Sequence, residues 1–215
     1  MYRFVKRFLD IAIALLGLIA LLPLLLCLMA LIRMGSRGAA LFRQKRVGRH
    51  GSLFDIYKLR TMRVDAPHDV ATSALENPAA HITPMGRFLR KTSLDELPQL
   101  LNVLRGQMSL IGPRPLVPAE KDIHEERLAL GAYDVRPGIT GWAQVNGRDC
   151  VDPHTKAELD AYYAHHVSFR QDMIILFYSV ICVVTARGVR EGATEFDDSV
   201  DERDRPARPG RRTVS

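Results

Sequence analysis

The hydrophobic pattern divides the chain near residue 34. From Ile11 to Ile32, 22 residues pass without a charged or strongly polar side chain. A transmembrane helix needs about 20 apolar residues, so the run is long enough to cross a bilayer. It ends in Arg33-Met34-Gly35-Ser36-Arg37, without the small-residue cleavage site of a signal peptide. Two features point away from a simple span. Basic residues mark both ends, with Arg3, Lys6 and Arg7 before the run and Arg33, Arg37 and Arg43 after it; in a span they mark the cytoplasmic side. Pro23 stands in the middle, where it removes a backbone hydrogen bond and favours a kink. The halves Ile11–Leu22 and Leu24–Ile32 are roughly 18 and 14 Å long at 1.5 Å per residue, each too short to cross. The pattern predicts a Pro-broken helix that enters and leaves on one face. A kinked span is the alternative, because proline is tolerated in membrane helices. Asp10, three residues after Arg7, is expected to pair with it.

Beyond this run the periods are those of a soluble domain. Ala39–Val47 and Leu53–Met62 flank Gly48-Arg49-His50-Gly51-Ser52 and predict a hairpin with a five-residue turn. Residues 65–81 lack periodicity and read as an exposed loop. Leu97, Leu100, Leu101 and Leu104 share one face of a short helix over Leu97–Leu104. Pro118–Leu130 and Lys156–His166 read as further helices. Asp172–Thr185 is apolar but too short to span and is assigned to the core. Ile111–Pro118 holds three prolines and must be an extended, rigid turn. After about Phe196 the composition is that of a disordered tail. The fold class is α+β, mainly helical with a small β-hairpin.

The formal net charge of +6 suits an anionic partner, whether lipid headgroup, nucleotide or nucleic acid. Cys27, Cys150 and Cys182 form no C-x-x-C, which fits a reducing compartment. The phosphate loops G-x-x-x-x-G-K-[ST] and G-x-G-x-x-G are absent, as is Asp-x-Asp. His124-Glu125-Glu126 and His165-His166 lack the partners of a zinc site and read as surface groups.

Three segments carry candidate chemistry. In Arg87-Phe88-Leu89-Arg90-Lys91-Thr92-Ser93-Leu94-Asp95-Glu96, two carboxylates follow a basic strip at a predicted helix start. There a carboxylate stays ionised and could serve as nucleophile or metal ligand, while the cations attract an anionic substrate. Ser93-x-x-Glu96 also fits a capping box, so a purely structural role stands beside this one. Gly112-Pro113-Arg114-Pro115 holds one guanidinium between two prolines, as a phosphate clamp or as a surface turn. Arg136–Arg148 offers Trp142 for stacking, Gln144 for hydrogen bonding and Arg148 for phosphate.

Taken together these segments resemble the small monotopic phosphoglycosyl transferases, the bacterial sugar transferase family. The match runs in order through Lys6-Arg7 with Asp10, the helix containing Pro23, Phe54-Asp55-Ile56-Tyr57-Lys58-Leu59-Arg60-Thr61-Met62, Ser93–Leu100, Met108–Pro115 and Arg136–Arg148. The resemblance implies a re-entrant membrane helix (1–34), a cytosolic catalytic domain (35–190) and a tail (191–215). It implies a site at the cytoplasmic face of the bacterial inner membrane. Asp95 would be the nucleophile and Glu96 its partner, as general base or as orienter. Lys58, Arg90, Arg114, Gln144 and Arg148 would bind substrate, and Mg2+ would be held by Asp95 and a diphosphate. The implied partners are a UDP-sugar, polyprenyl phosphate (undecaprenyl phosphate in bacteria) and membrane lipids. Nucleic acid is not among them, and a homo-oligomer is left open. The implied reaction transfers sugar-1-phosphate to the lipid and releases UMP, at the first membrane step of surface glycan assembly. A glycosyltransferase moving sugar alone and a non-enzymatic basic membrane adaptor are the rivals. Leu22 stands where the family often has serine before the membrane proline, and Arg46-Val47-Gly48 where it has Arg-Pro-Gly.

Overall fold

A computed structural model describes residues 2–67, 75, 77–146 and 152–185. The chain begins with α1 (Tyr2–Gly35), which stays helical through Pro23. The division into two halves expected from the sequence is therefore not a break in the backbone. Pro23 lies on the exposed side of the helix. Thirty-four residues make a helix about 51 Å long.

Only one stripe of α1 is covered. Asp10, Ala14, Leu25, Leu28 and Ile32 are buried, and Gly17 comes close to Leu100. Their spacing keeps them on a single face from one end to the other. The remaining surface is apolar and open, including Phe4, Phe8, Ile13, Leu16, Ile19 and Leu26.

Polar contacts fix both ends of α1 to the domain. Lys6 Nζ lies 3.0 Å from Asp172 and 3.8 Å from Asp10. Asp10 accepts from Ser109 Oγ at 2.7 Å and from the Leu110 amide at 3.1 Å. Asp172 accepts from the hydroxyls of Tyr2 and Tyr163 at 2.6 and 2.7 Å. Two buried carboxylates thus share one cation and four hydrogen-bond donors, which is how buried charge is tolerated. Arg7 turns the other way and donates to the carbonyls of Val103 (2.8 Å) and Met108 (3.3 Å). The expected Arg7–Asp10 pair does not form, because Asp10 sits on the buried stripe opposite better donors. At the far end Arg60 donates to Ser36 O at 3.0 Å and to Ser36 Oγ at 2.8 Å, and also binds the Arg37 carbonyl. A guanidinium there satisfies free carbonyls at the negative end of the helix.

The hairpin forms as its alternation predicts. β1 (Leu41–Val47) pairs antiparallel with β2 (Leu53–Leu59), from Leu41 opposite Leu59 to Val47 opposite Leu53. Phe54 and Ile56 face a core with Ala14, Leu100, Val103 and Met108. Next come α2 (Pro78–His81), α3 (Pro84–Lys91) and α4 (Gln99–Leu104), so the 65–81 loop ends in a short helix. A second sheet was not legible in advance. β3 (Ser109–Ile111) and β4 (Gly138–Thr140) pair in parallel over three residues each. Their neighbourhood requires glycine, since a Cβ on Gly112 would fall 2.3 Å from Arg136 O and one on Gly138 2.1 Å from Gly112 N.

Three helices complete the fold: α5 (Lys121–Ala129), then, after the single turn α6 (Trp142–Val145), α7 (Pro153–His165) and α8 (Phe169–Thr185). The assignment of the last helix to the core holds only for one edge. Asp172 and Ile175 are buried, whereas Phe169, Met173, Leu176, Phe177, Tyr178 and Val180 are exposed. Residues 191–215, assigned to the tail, lie outside the described residues.

Lys6→Met leaves Asp10 and Asp172 buried without their cation, and breaking such a pair costs about 3–5 kcal/mol. The expected result is a clearly lower Tm in thermal unfolding of the detergent-solubilised protein.

Candidate active site

The site is assembled from a helix, a turn, a strand and a loop. Thr83 starts α3 by accepting from the Gly86 amide, and Pro84 occupies the first helical position, where its missing N–H is harmless. This pair was the sequence signal for a helix that the hydrophobic period did not reveal. After Lys91 the chain reverses at Ser93, whose φ of 56° is left-handed and uncommon outside glycine. Leu94–Glu96 then form a single 3-10 turn, and α4 starts only at Gln99. The capping-box alternative fails, because an N-cap needs extended backbone and Ser93 makes no side-chain capping bond. The carboxylates are consequently not at the start of the α-helix, and their electrostatics come from side chains.

Asn102 of α4, wholly buried, joins this turn to the hairpin. Its side chain accepts from the Tyr57 amide at 3.0 Å and donates to Asp55 O at 2.7 Å and Gln107 Oε1 at 2.8 Å. β2 is thereby held so that Lys58 Nζ reaches Glu96 Oε1 at 2.7 Å. Arg114 Nη1 comes to the same oxygen at 3.2 Å from the proline-rich loop. Arg90 donates from Nε to Thr61 Oγ1 at 2.9 Å, and its charge acts on Asp95. The fold therefore brings Lys58, Arg90, Asp95, Glu96 and Arg114 together from four separate segments.

The two carboxyls differ in protonation. Burial disfavours the Glu96 charge, but Lys58 and Arg114, both hydrogen-bonded to it, hold its pKa down at about 2. Burial raises the Asp95 pKa; Lys58 opposes that, Glu96 adds to it, and the result is above the ordinary value. A carboxylate held near 2 is a poor proton acceptor at neutral pH. Glu96 is instead a fixed anion that gathers two cations beside Asp95. Asp95 is 8% exposed and makes no hydrogen bond or ion pair to another described residue, which leaves its oxygens free to react or to bind a metal.

Among the described residues no group of three or more His, Cys, Asp or Glu could cage a metal ion. A magnesium ion needs only one or two carboxylates when substrate phosphates supply the other oxygens, so Asp95 fits as a partial ligand.

The third segment is less directly involved than its composition suggested. Gln144 donates from Nε2 to Ile139 O at 3.1 Å, within its own loop, while its Oε1 is buried without a partner. Trp142 is half-buried, packed by Ile111, Tyr163 and Ile175 and tilted against Tyr162, so it is part of the core. Arg148 lies outside the described residues. His124 binds Tyr133 Oη and the Val117 carbonyl, which makes it a structural group rather than a surface one.

Residues 1–186 match the bacterial sugar transferase family. The chain is 39% identical over 186 residues to an uncharacterized sugar transferase of Bacillus subtilis, EpsL, covering 86% of this chain and 90% of that one. It is 36% identical over 197 residues to the exopolysaccharide production protein ExoY of Sinorhizobium fredii, covering 85% and 87%. With the Escherichia coli UDP-glucose:undecaprenyl-phosphate glucose-1-phosphate transferase it shares 39% identity over 185 residues, which is 83% of this chain but 40% of that longer protein. The chain therefore belongs to the bacterial sugar transferase family. It is an enzyme, of the phosphoglycosyl transferase kind.

Replacing Glu96 by Gln removes the like charge beside Asp95 and leaves Lys58 and Arg114 unneutralised; both changes favour the Asp95 anion. Carbon-13 titration of the Asp95 carboxyl is expected to show a lower midpoint in Glu96→Gln than in the parent.

Proposed function

We propose that the protein transfers a sugar-1-phosphate from a UDP-sugar to polyprenyl phosphate through a covalent phosphosugar on Asp95. The observation that carries this reading is the division of labour within the dyad. Glu96 takes Lys58 and Arg114 on one oxygen, while Asp95 beside it has no direct partner among the described residues. A nucleophile needs free lone pairs, and an anionic diphosphate needs cations already in place.

In the first step an Asp95 carboxylate oxygen bonds to the β-phosphorus of the donor. The bond from that phosphorus to the bridging oxygen breaks, and UMP leaves with the electron pair. In the second step a phosphate oxygen of the lipid bonds to the same phosphorus and the Asp95 carboxylate departs. The product is a polyprenyl-diphosphate-sugar. Lys58 and Arg114, held together by Glu96, would neutralise charge on the phosphoryl oxygens. A Mg2+ ion bound by Asp95 and the diphosphate would lower the repulsion between two anions. Relatives named for undecaprenyl-phosphate transfer of glucose or galactose phosphate support this donor and acceptor class.

The lipid acceptor gives the open face of α1 a purpose. Its exposed apolar side chains suit acyl chains, not water. The domain grips α1 from Tyr2 to Arg60's contacts with Ser36 and Arg37, which supports a reading with both basic ends on the domain's side of the membrane. A re-entrant placement at the cytoplasmic face of the inner membrane accounts for this.

Two experiments test these readings. Purified protein offered a panel of UDP-sugars without lipid is expected to release UMP stoichiometrically with the right donor and to gain a phosphosugar on Asp95 by mass spectrometry. Asp95→Asn should give neither, whereas release of UDP would indicate transfer of sugar alone. In a variant whose three cysteines are replaced by serine, new cysteines at Arg3 and Gly35 are expected to react with an impermeant maleimide in inside-out vesicles only. Opposite sidedness of the two positions would mean a span.

A further inference from the structure

The proline-rich loop that presents Arg114 is held by its carbonyls. Pro113, Pro115 and Pro118 have no N–H to offer, so the loop has few donors of its own. Every carbonyl from Pro113 to Val117 nevertheless has a partner. Pro113 O accepts from the Gly138 amide at 2.9 Å, and Leu116 O from the Val47 amide at 3.0 Å. Val117 O accepts from the Glu120 amide at 3.1 Å. The two remaining carbonyls, those of Arg114 and Pro115, are held by guanidinium groups. Arg127 Nη1 of α5 donates to Arg114 O at 2.8 Å, and Arg46 Nη1 of β1 donates to Pro115 O at 3.1 Å.

Both guanidinium groups are themselves oriented. Arg127 and Asp160 of α7, each 1% exposed, form an ion pair. Arg46 Nη2 donates to Gln44 Oε1 at 2.5 Å, and Gln44 is buried. Burial and then the Arg114 charge lower the Arg46 pKa to about 10, which leaves it charged at neutral pH. A buried ion pair of this kind adds little net stability compared with apolar residues of similar volume. What it does supply here is a charged donor at a fixed point under the loop.

We infer that Arg127 with Asp160, and Arg46 with Gln44, are positioning residues that set the place of the Arg114 guanidinium against Glu96, and so the charge around Asp95. This rests on the proposed roles of Asp95 and Glu96. None of the four side chains is assigned a contact with substrate. Their effect passes through the backbone at residues 114 and 115, where a shift of about 1 Å can cost on the order of 100-fold in rate.

The test replaces the buried pair together, Arg127→Met with Asp160→Leu, so that neither charge is left alone. Arg127→Lys is made beside it, keeping the charge without the planar fork, and Arg46→Lys tests the other support. Expected are a Tm close to that of the parent, UMP release slowed by roughly 10–100-fold, and nitrogen-15 guanidinium signals of Arg114, identified by their loss in Arg114→Ala, moved away from their parent positions. Adding Arg114→Ala to the pair replacement should cost much less than in the parent background, because the guanidinium is already out of place. Parent-like Arg114 guanidinium signals in all folded variants, or a full additional loss from Arg114→Ala, would overturn the inference. Should the pair replacement fail to fold, Arg127→Lys and Arg46→Lys decide by the same two readouts. The Arg114 signals do not depend on turnover, so they separate this inference from the Asp95 mechanism, which fails if Asp95→Asn still releases UMP.

Discussion

One carboxylate oxygen, Glu96 Oε1, organises the site. It receives Lys58 from the hairpin and Arg114 from the proline-rich loop, two elements that also meet where the Val47 amide and the Arg46 side chain donate to carbonyls of the loop. Two cations drawn so close would repel each other without an anion between them. The same arrangement makes the neighbouring carboxyl different in kind. Asp95 is buried beside an anion and shares none of its cations directly, so two chemically similar side chains enter the site in unequal states. That inequality is how paired carboxyls acquire separate functions.

The scaffold around this oxygen is built for position more than for size. Asn102 replaces missing strand contacts on β2, and Gly112 and Gly138 let two backbones approach where any side chain would collide. Ser93 adopts a left-handed turn so that the dyad projects from a single 3-10 turn. Local strain of this sort persists where surrounding contacts over-determine it.

Much of this was legible in the residues. The hairpin followed from alternation, and the helices after residue 118 from the composition of their segments, because those signals are local. Lys58, Arg90, Asp95, Glu96 and Arg114 were legible as a set only through their order along the chain, since they come from four separate segments. What escaped was set by tertiary contact. β3 and β4 are three residues each and too short to show a period. Arg7 and Asp10 look like a local pair, yet each finds a stronger partner about 100 residues away. Trp142 has the composition of a ligand platform but is needed by the packing of Tyr162 and Ile175. Arg127 carried no motif at all, and Arg46 only the altered Arg-Pro-Gly turn, because their importance lies in carbonyls that a sequence does not display.

The seam between α1 and the domain has a practical corollary for anyone handling the molecule. Lys6 is the shared counter-ion of Asp10 on its own helix and Asp172 on the last one, and Arg60 closes the other end. Trimming away the first 34 residues to gain a water-soluble fragment would strip Asp172 of its lysine and leave Leu59, Leu89 and Leu100 without their cover. The first helix is thus as much the keel of the enzyme as an apolar surface, and a purification that keeps the domain whole has to keep that helix with it.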